Sequence, residues 1–246
     1  MLTIDGVSKR FGEGTLALDG ITAGIAPGEF VALLGPSGCG KSTLLRLLAG
    51  LEQPTAGAIV WDEGHRPAAG GVGFVFQDAT LLPWADAAEN VYLPLKLRGH
   101  RRADVADRVH AALAQVGLAD FAGARPKQLS GGMRMRVSIA RALVSEPMLL
   151  LMDEPFAALD EFTRHRLQED LRTLWRKTGK TIVFVTHSIY ESAYLASRIL
   201  VLSPRPGRIA ADLRADIPEG PDRRETAAYT GLVHEITETL RAVMPA

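Results

Sequence analysis

Nine residues near the start of the chain, Gly35-Pro36-Ser37-Gly38-Cys39-Gly40-Lys41-Ser42-Thr43, place three glycines ahead of a lysine and two hydroxyl residues. They stand between an apolar run, Phe30 to Leu34, and a stretch of helical period, Lys41 to Ala49. A buried strand that turns through glycines into a helix gathers backbone N–H groups around one point, and the helix start adds partial positive charge there. The spacing GxxxxGK followed by Ser or Thr is that of a phosphate-binding loop. Gly35 to Thr43 is therefore the expected seat of a nucleoside triphosphate, with Lys41 reaching the β and γ phosphates and the Ser42 hydroxyl as a ligand of Mg²⁺. Cys39 reads as a small residue that fits the loop rather than as a reactive thiol.

Any attraction for phosphate has to be this local, because Lys plus Arg total 28 and Asp plus Glu total 28. No overall field draws the chain to nucleic acid or to anionic lipid. One cysteine in 246 residues cannot make an internal disulfide, which fits a reducing compartment such as the cytosol. The N-terminal MLTIDGVSKRF holds no apolar stretch of signal-peptide length. The longest apolar runs, Val31 to Leu34 and Met148 to Met152, are far short of the ~20 residues that span a bilayer. If the protein serves transport, the pore lies in another chain.

Along the chain, apolar runs alternate with helical segments. Val72 to Phe76, Met148 to Met152, Thr181 to Thr186 and Ile199 to Leu202 read as further strands, and Asp160 to Lys177 and Ser188 to Ala196 as helices. This alternation is that of a mainly parallel sheet covered on both faces. Between about Asp86 and Val144 the rhythm changes to helices alone: Ala87 to Leu97 interrupted by Pro94, then Arg101 to Val116, then Gly132 to Val144. The expected organisation is one α/β domain over residues 1–246. Its nucleotide-binding core is formed by 1–85 and 145–205, its helical subdomain is inserted at 86–144, and an extension covers 206–246 with an amphipathic helix near Thr230 to Met244.

A second chemical feature follows the run Met148 to Met152, which leads directly into Asp153, Glu154 and Pro155. Parallel sheets bind ligands at the carboxyl ends of their strands, so these two acids are delivered where a metal and a water would be held. Asp153 is the expected Mg²⁺ ligand, and Glu154, pointing the other way, the general base for the attacking water.

The phosphate loop alone would serve a kinase, a GTPase, a helicase or a transporter ATPase. Leu129-Ser130-Gly131-Gly132-Met133 narrows the choice, because it is a second glycine-rich helix start, capped by Ser130, and so a second anion site on the same chain. Here the sequence resembles the ATP-binding cassette family, and the resemblance covers nearly the whole chain in the family's order. It implies a P-loop NTPase, RecA-like core with an antiparallel N-terminal β part, and it makes Gly35 to Thr43 the Walker A loop and Asp153 with Glu154 the Walker B pair. It also makes Phe11 an adenine-stacking aromatic, Gln77 a Q-loop glutamine that contacts the metal, Asp160 part of a D-loop and His187 a contact of the γ phosphate. In that family two ATP molecules are sandwiched between two subunits, so Ser130, Gly131 and Gly132 would cover the nucleotide held by a second copy. The sequence departs from the family pattern at Met135, Arg125 and Ser188, all beside rather than on catalytic positions.

Gln77 to Trp84, the stretch Glu89-Asn90-Val91, and Leu202 to Ile209 are similar to the nitrate, sulfonate and taurine importer branch. That resemblance implies ATP and Mg²⁺ as cofactors, transmembrane permease subunits as partners, indirect dependence on a periplasmic or extracellular solute-binding protein, and a peripheral place on the cytoplasmic face of the inner membrane. The apolar Leu81 to Trp84 is where a permease helix would dock. The chain ends about forty residues after the last expected strand, leaving no room for the regulatory barrel of sugar-importer relatives. A soluble cassette ATPase without a transporter usually carries two cassettes or a long coiled-coil insertion, and a P-loop kinase would not need Ser130 to Gly132. The alternatives are a soluble cassette ATPase not coupled to transport and an importer subunit for a pyrimidine or thiamine precursor.

Overall fold

The computed structural model describes residues 1–12, 14–63, 71–220 and 222–244; Pro221, Pro245 and Ala246 of the extension and residues 64–70 of the core lie outside them. The described residues fall into two compact units, one drawn from 1–66 and 179–246 and the other from 67–178.

The first unit carries two sheets. Strands β1 (Leu2–Phe11), β2 (Thr15–Ile25) and β4 (Ala56–Trp61) pair antiparallel in the order β2-β1-β4, which is the antiparallel N-terminal part that the family resemblance implied. The other sheet contributes β3 (Phe30–Leu34), β7 (Thr181–Thr186), β8 (Arg198–Leu202) and β9 (Ile209–Arg214) in the order β7-β3-β8-β9. Pairing of β3 with β7 and with β8 is parallel. Every residue of β3 and β7 is buried, as both faces of a parallel sheet demand, and Phe30 meets Phe184 edge to face at 6.0 Å. Helix α1 (Lys41–Leu48) follows β3 and buries Leu44, Leu45, Leu47 and Leu48. Helix α6 (Ile189–Leu195) follows β7, and α7 (Ala227–Val243) packs against it through Tyr229, Leu232 and Ile236.

Two features of this unit differ from the sequence expectation. The last helix begins at Ala227, three residues before Thr230, with Thr226 as its cap. Strand β9 was not expected at all: it runs antiparallel to β8 with alternate residues half-buried, in a segment rich in Arg and Asp. Arg223, 2% exposed, pins the chain between β9 and α7 by donating to the carbonyls of Tyr194, Ile217 and Pro218.

The second unit pairs β5 (Val72–Val75) with β6 (Leu149–Asp153) in parallel and adds helices α2 (Ala87–Leu97), α3 (Ala106–Gln115), α4 (Gly131–Leu143) and α5 (Glu161–Thr178). Spacing by three and four builds its helical core: Ala87, Val91 and Leu95 from α2 meet Val109 and Leu113 from α3, Val137 and Ala140 from α4, and Val144 just beyond the end of α4. Pro94 does not interrupt α2, contrary to the sequence reading. A proline deletes one backbone bond of a helix, and here fully buried Val91 and Leu95 pin the chain on either side of it. The stretch from Arg101 is likewise split, a 3-10 turn at Arg102–Val105 preceding α3.

Candidate functional site

Register decides what leaves each sheet together. Leu34 of β3 pairs with Thr186 of β7, so the chain departs from the same edge into Gly35 on one side and His187 on the other. In the second unit Val75 pairs with Met152, which puts Gln77 and the acids Asp153 and Glu154 just beyond the carboxyl edge of their own pair.

Gly35 to Thr43 has the shape that its glycines allow. Gly38 and Gly40 lie at φ 75 and 107, a region open to glycine and strained for other residues. A Cβ at Gly40 would fall 2.6 Å from Leu18 Cδ2 and 2.9 Å from the Ala17 carbonyl oxygen, and one at Gly35 would fall 2.8 Å from the Leu202 carbonyl oxygen. The loop is thus packed down on its own unit, and larger residues would lift it. Lys41 is only 4% exposed, and its ammonium donates to the carbonyl oxygens of Gly35 at 2.8 Å and Pro36 at 3.0 Å. A buried cation held by two neutral carbonyls is a ready exchange partner for phosphate oxygens, which bind an ammonium more strongly. Pro36, Ser42 and Thr43 are half-buried and Ser37 is exposed. Cys39 is buried, and that burial raises its thiol pKa above the ordinary value against the opposing charges of Lys41 and Arg205. This is the behaviour of a packing residue.

His187 is exposed at the end of β7. Ser188 beside it caps α6, its hydroxyl accepting from the Glu191 N–H, and Thr186 donates its hydroxyl to the Glu191 carboxylate. Ser188 therefore does the capping work that an aspartate would do, which accounts for this departure from the family pattern. Phe11 ends β1, the residue 43% exposed and the Lys9 ammonium 5.1 Å from the centre of its ring.

In the second unit Gln77 is exposed, and Asp153 and Glu154 are half-buried. Glu154 adopts φ 44, a left-handed backbone that costs a residue with a side chain energy and is characteristic of functional turns. The turn it starts is closed by the bonds Ala157 N–H to Glu154 and Leu159 N–H to Phe156, with the Arg164 guanidinium donating to the carbonyls of Phe156 and Leu159. Asp160 ends the turn and accepts from the Thr163 N–H at 2.9 Å, as a cap does. The hydrogen bonds from Thr163 hold its carboxyl pKa below the ordinary value.

The glycine-rich start of α4 meets this same turn. Ser130 caps α4, its hydroxyl accepting from Met133 N–H at 3.2 Å. A Cβ on Gly132 would fall 2.5 Å from the Thr163 methyl, so the residue is small because α5 runs against it. Gly131 has more room, a Cβ there meeting only Leu159 at 3.5 Å and Arg134 at 3.9 Å. Ser130, Gly132, Phe162, Thr163 and Arg166 share a 340 Å³ cavity. The structure thus brings Ser130 to Gly132 and Asp160 to one place.

Two residues to which sequence reasoning gave no structural role shape the segment after β5. Asn90, fully buried on α2, donates to the carbonyls of Leu82, Ala85 and Asp86 and accepts from the Leu82 N–H at 2.7 Å. Arg141 of α4 donates to the carbonyls of Ala79 and Thr80, and burial lowers its pKa. An asparagine within the apolar stripe of α2 was the available signal for the first. Beyond the turn that Asn90 ties, Trp84 stands 71% exposed. In the same unit, Phe74, Phe76, Leu93, Pro94, Leu97 and Arg141 line a cavity of 490 Å³. Among the described residues, no helix is long and apolar enough to cross a membrane.

Comparison with known proteins finds related chains. A family model described as ABC transporter matches residues 18–157. The chain is 49% identical over 217 residues to the taurine import ATP-binding protein TauB of Chromobacterium violaceum, covering 87% of this chain and 82% of that one. It is 46% identical over 244 residues to the aliphatic sulfonates import ATP-binding protein SsuB 1 of Burkholderia cenocepacia, covering 99% of this chain and 73% of the other. Among solved structures it is similar to a dimeric post-hydrolysis state of the ATP-binding cassette MJ0796 bound to ADP and phosphate. There the TM-score is 0.74 and the identity 34%, covering 87% of this chain and 99% of that one.

Proposed function

The chain belongs to the ABC transporter family, and we propose that it is the ATP-hydrolysing subunit of an importer for a small sulfonate-type solute, taurine or an aliphatic sulfonate. The observation that carries the ATPase reading is the pairing, on one chain, of a phosphate loop with a buried lysine and a second glycine-rich helix start capped by serine. The kind of solute rests on the names of relatives that match 87% and 99% of this chain.

Within the nucleotide site, Lys41 exchanges its two loop carbonyls for phosphate oxygens, and the loop amides hold the phosphates in place. Phe11, exposed at the end of β1, is the platform for the adenine. The metal-binding residues are Ser42, Gln77 and Asp153, which offer oxygen only; that donor set suits magnesium, which takes few protein ligands. Magnesium bound there supplies positive charge that draws electron density from the transferred phosphoryl group. Glu154, presented by a strained backbone just past Asp153, takes the proton of the attacking water, and His187 orients that water.

A second copy of the chain completes the site, its Ser130 to Gly132 covering the phosphates and its Asp160 turn lying beside them. Closure on ATP and opening after hydrolysis are what a permease converts into transport. The permease docks on the apolar surface after Gln77, where Trp84 is open to solvent and Phe76 and Leu97 border the 490 Å³ cavity. A solute-binding protein delivers cargo on the far side of the membrane, and this chain rides on the cytoplasmic face of the inner membrane. In domain terms, 86–144 acts as the helical subdomain that carries permease contacts and the residues that cover the second nucleotide.

Glu154→Gln tests the reading. It should abolish phosphate release while ATP accumulates a stable dimer in size-exclusion chromatography. Turnover at the wild-type rate would remove Glu154 as the base, and copurification of the native protein with a polytopic membrane protein separates an importer from a soluble ATPase.

A further inference from the structure

The turn between β8 and β9, Ser203 to Arg208, takes no part in the functions assigned above, yet it is wedged into the phosphate loop. It is anchored to β2: the Gly207 N–H donates to the Ala17 carbonyl at 2.9 Å, the Asp19 N–H donates to the Gly207 carbonyl at 3.0 Å, and Arg208 pairs with Asp19. Ser203 ties the turn to itself, its hydroxyl accepting from the Arg208 N–H. From this base the Arg205 guanidinium reaches the loop, Nε and Nη2 both donating to the Gly38 carbonyl at 3.1 and 3.0 Å. Gly207 fits beneath, where a Cβ would fall 2.1 Å from the Cys39 carbonyl oxygen.

A trans peptide points its C=O and its following N–H in opposite directions. Arg205 fixes the Gly38 carbonyl on one side, so the Cys39 N–H must face the other. There it makes a long bond, 3.3 Å, to the carbonyl of Pro36, which also accepts from Lys41. The inward group is a donor and the outward one an acceptor already satisfied, which is the orientation an anion needs. Arg205 is thus the side chain that holds this peptide, which follows a glycine at φ 75, against rotation.

We propose that Arg205 is a positioning residue for the nucleotide: from the β8–β9 turn it holds the Gly38–Cys39 peptide with its N–H toward the phosphates, and so sets nucleotide affinity. The inference rests on the reading of Gly35 to Thr43 as the phosphate seat. Arg205 need not touch the nucleotide. It acts through a carbonyl, and its charge adds to the field that Lys41 already supplies.

The test is titration of the purified full-length chain with a fluorescent N-methylanthraniloyl ATP and the matching ADP analogue, alongside thermal unfolding. Arg205→Ala should weaken both analogues roughly tenfold, about 1.4 kcal/mol, with the unfolding midpoint unchanged because the side chain is exposed. Arg205→Lys, which keeps a charge and a donor, should recover most of that loss. Gly207→Ala, which crowds the Cys39 carbonyl, should weaken binding in the same sense. Lys41→Ala should bind neither analogue. If Arg205→Ala binds as tightly as wild type while Lys41→Ala does not bind, the positioning role is refuted. A loss in Arg205→Ala that tracks a fall in unfolding midpoint and is not restored by lysine refutes it too, leaving a folding contact. Undiminished binding by Lys41→Ala would instead overturn the phosphate-seat reading.

Discussion

Gly132→Ala adds one methyl group, and the structure says which atom that methyl meets. Its Cβ would lie 2.5 Å from Thr163 Cγ2, while the next atoms, Leu167 Cδ1 at 3.7 Å and Thr163 Cβ at 4.0 Å, are at ordinary distance. Carbon atoms pack best at about 3.5–4.0 Å, so the strain falls on a single contact. Thr163 cannot easily swing away, because β-branched side chains are stiff in helices and its hydroxyl is bonded to Asp160. Overpacking of this kind costs about 1–3 kcal/mol. Alanine in place of glycine in a helix returns at most about 1 kcal/mol, and less in a first turn, leaving a net loss of up to about 2–3 kcal/mol. Thr163→Ser deletes Cγ2 and keeps the hydroxyl. The double variant Gly132→Ala with Thr163→Ser should therefore be more stable than the sum of the single effects by about 1–2 kcal/mol. Urea unfolding of the four proteins measures this coupling. ATP turnover should follow stability, since the added methyl faces α5. A coupling below about 0.5 kcal/mol, the limit within which independent sites add, would refute the claim that Gly132 is small because of Thr163.

Other perturbations follow from the same geometry. Asn90→Ala removes the side-chain bonds to the Leu82 N–H and to the Ala85 carbonyl, while the carbonyls of Leu82 and Asp86 keep their backbone donors. It should cost about 2–4 kcal/mol in urea unfolding, and a change under about 1 kcal/mol would show that water replaces the side chain freely. Ser130→Arg should preserve nucleotide affinity yet prevent the ATP-dependent dimer of the Glu154→Gln protein; a dimer of normal stability would argue against a shared site. Cys39, with its pKa raised by burial, stays largely a thiol at pH values where free cysteine begins to ionise, about 8.5. Its alkylation by iodoacetamide near that pH should be slow in the native chain and fast in urea, with the native rate climbing only at higher pH. A native rate equal to that of a free thiol would contradict its burial.

The sequence carried the local parts of this molecule and missed the distant ones. Strand β3, the loop after it and α1 were legible because an apolar run, glycines and a helical period stand side by side. Asp153 and Glu154 were legible as the end of a buried strand, though nothing in the letters reveals that Glu154 takes a left-handed backbone. Strand β9 escaped because Ile209 to Arg214 alternates half-buried with exposed residues, and its Arg and Asp make it read as tail. Pro94 was given more power than it has, since buried neighbours in α2 outweigh one missing bond. Arg205 and Gly38 are 167 residues apart, and no periodicity links them. Ser130 was legible as a cap, whereas the crowding that requires Gly132 could be seen only once α5 was in place.

The torsion at Glu154 separates endurance from activity at one position. A left-handed backbone costs an ordinary residue roughly 1–2 kcal/mol, a cost that glycine escapes. Glycine there would relieve the backbone and remove the carboxylate in one step, so with Glu154 as the proposed base, relief of strain and loss of hydrolysis would arrive together.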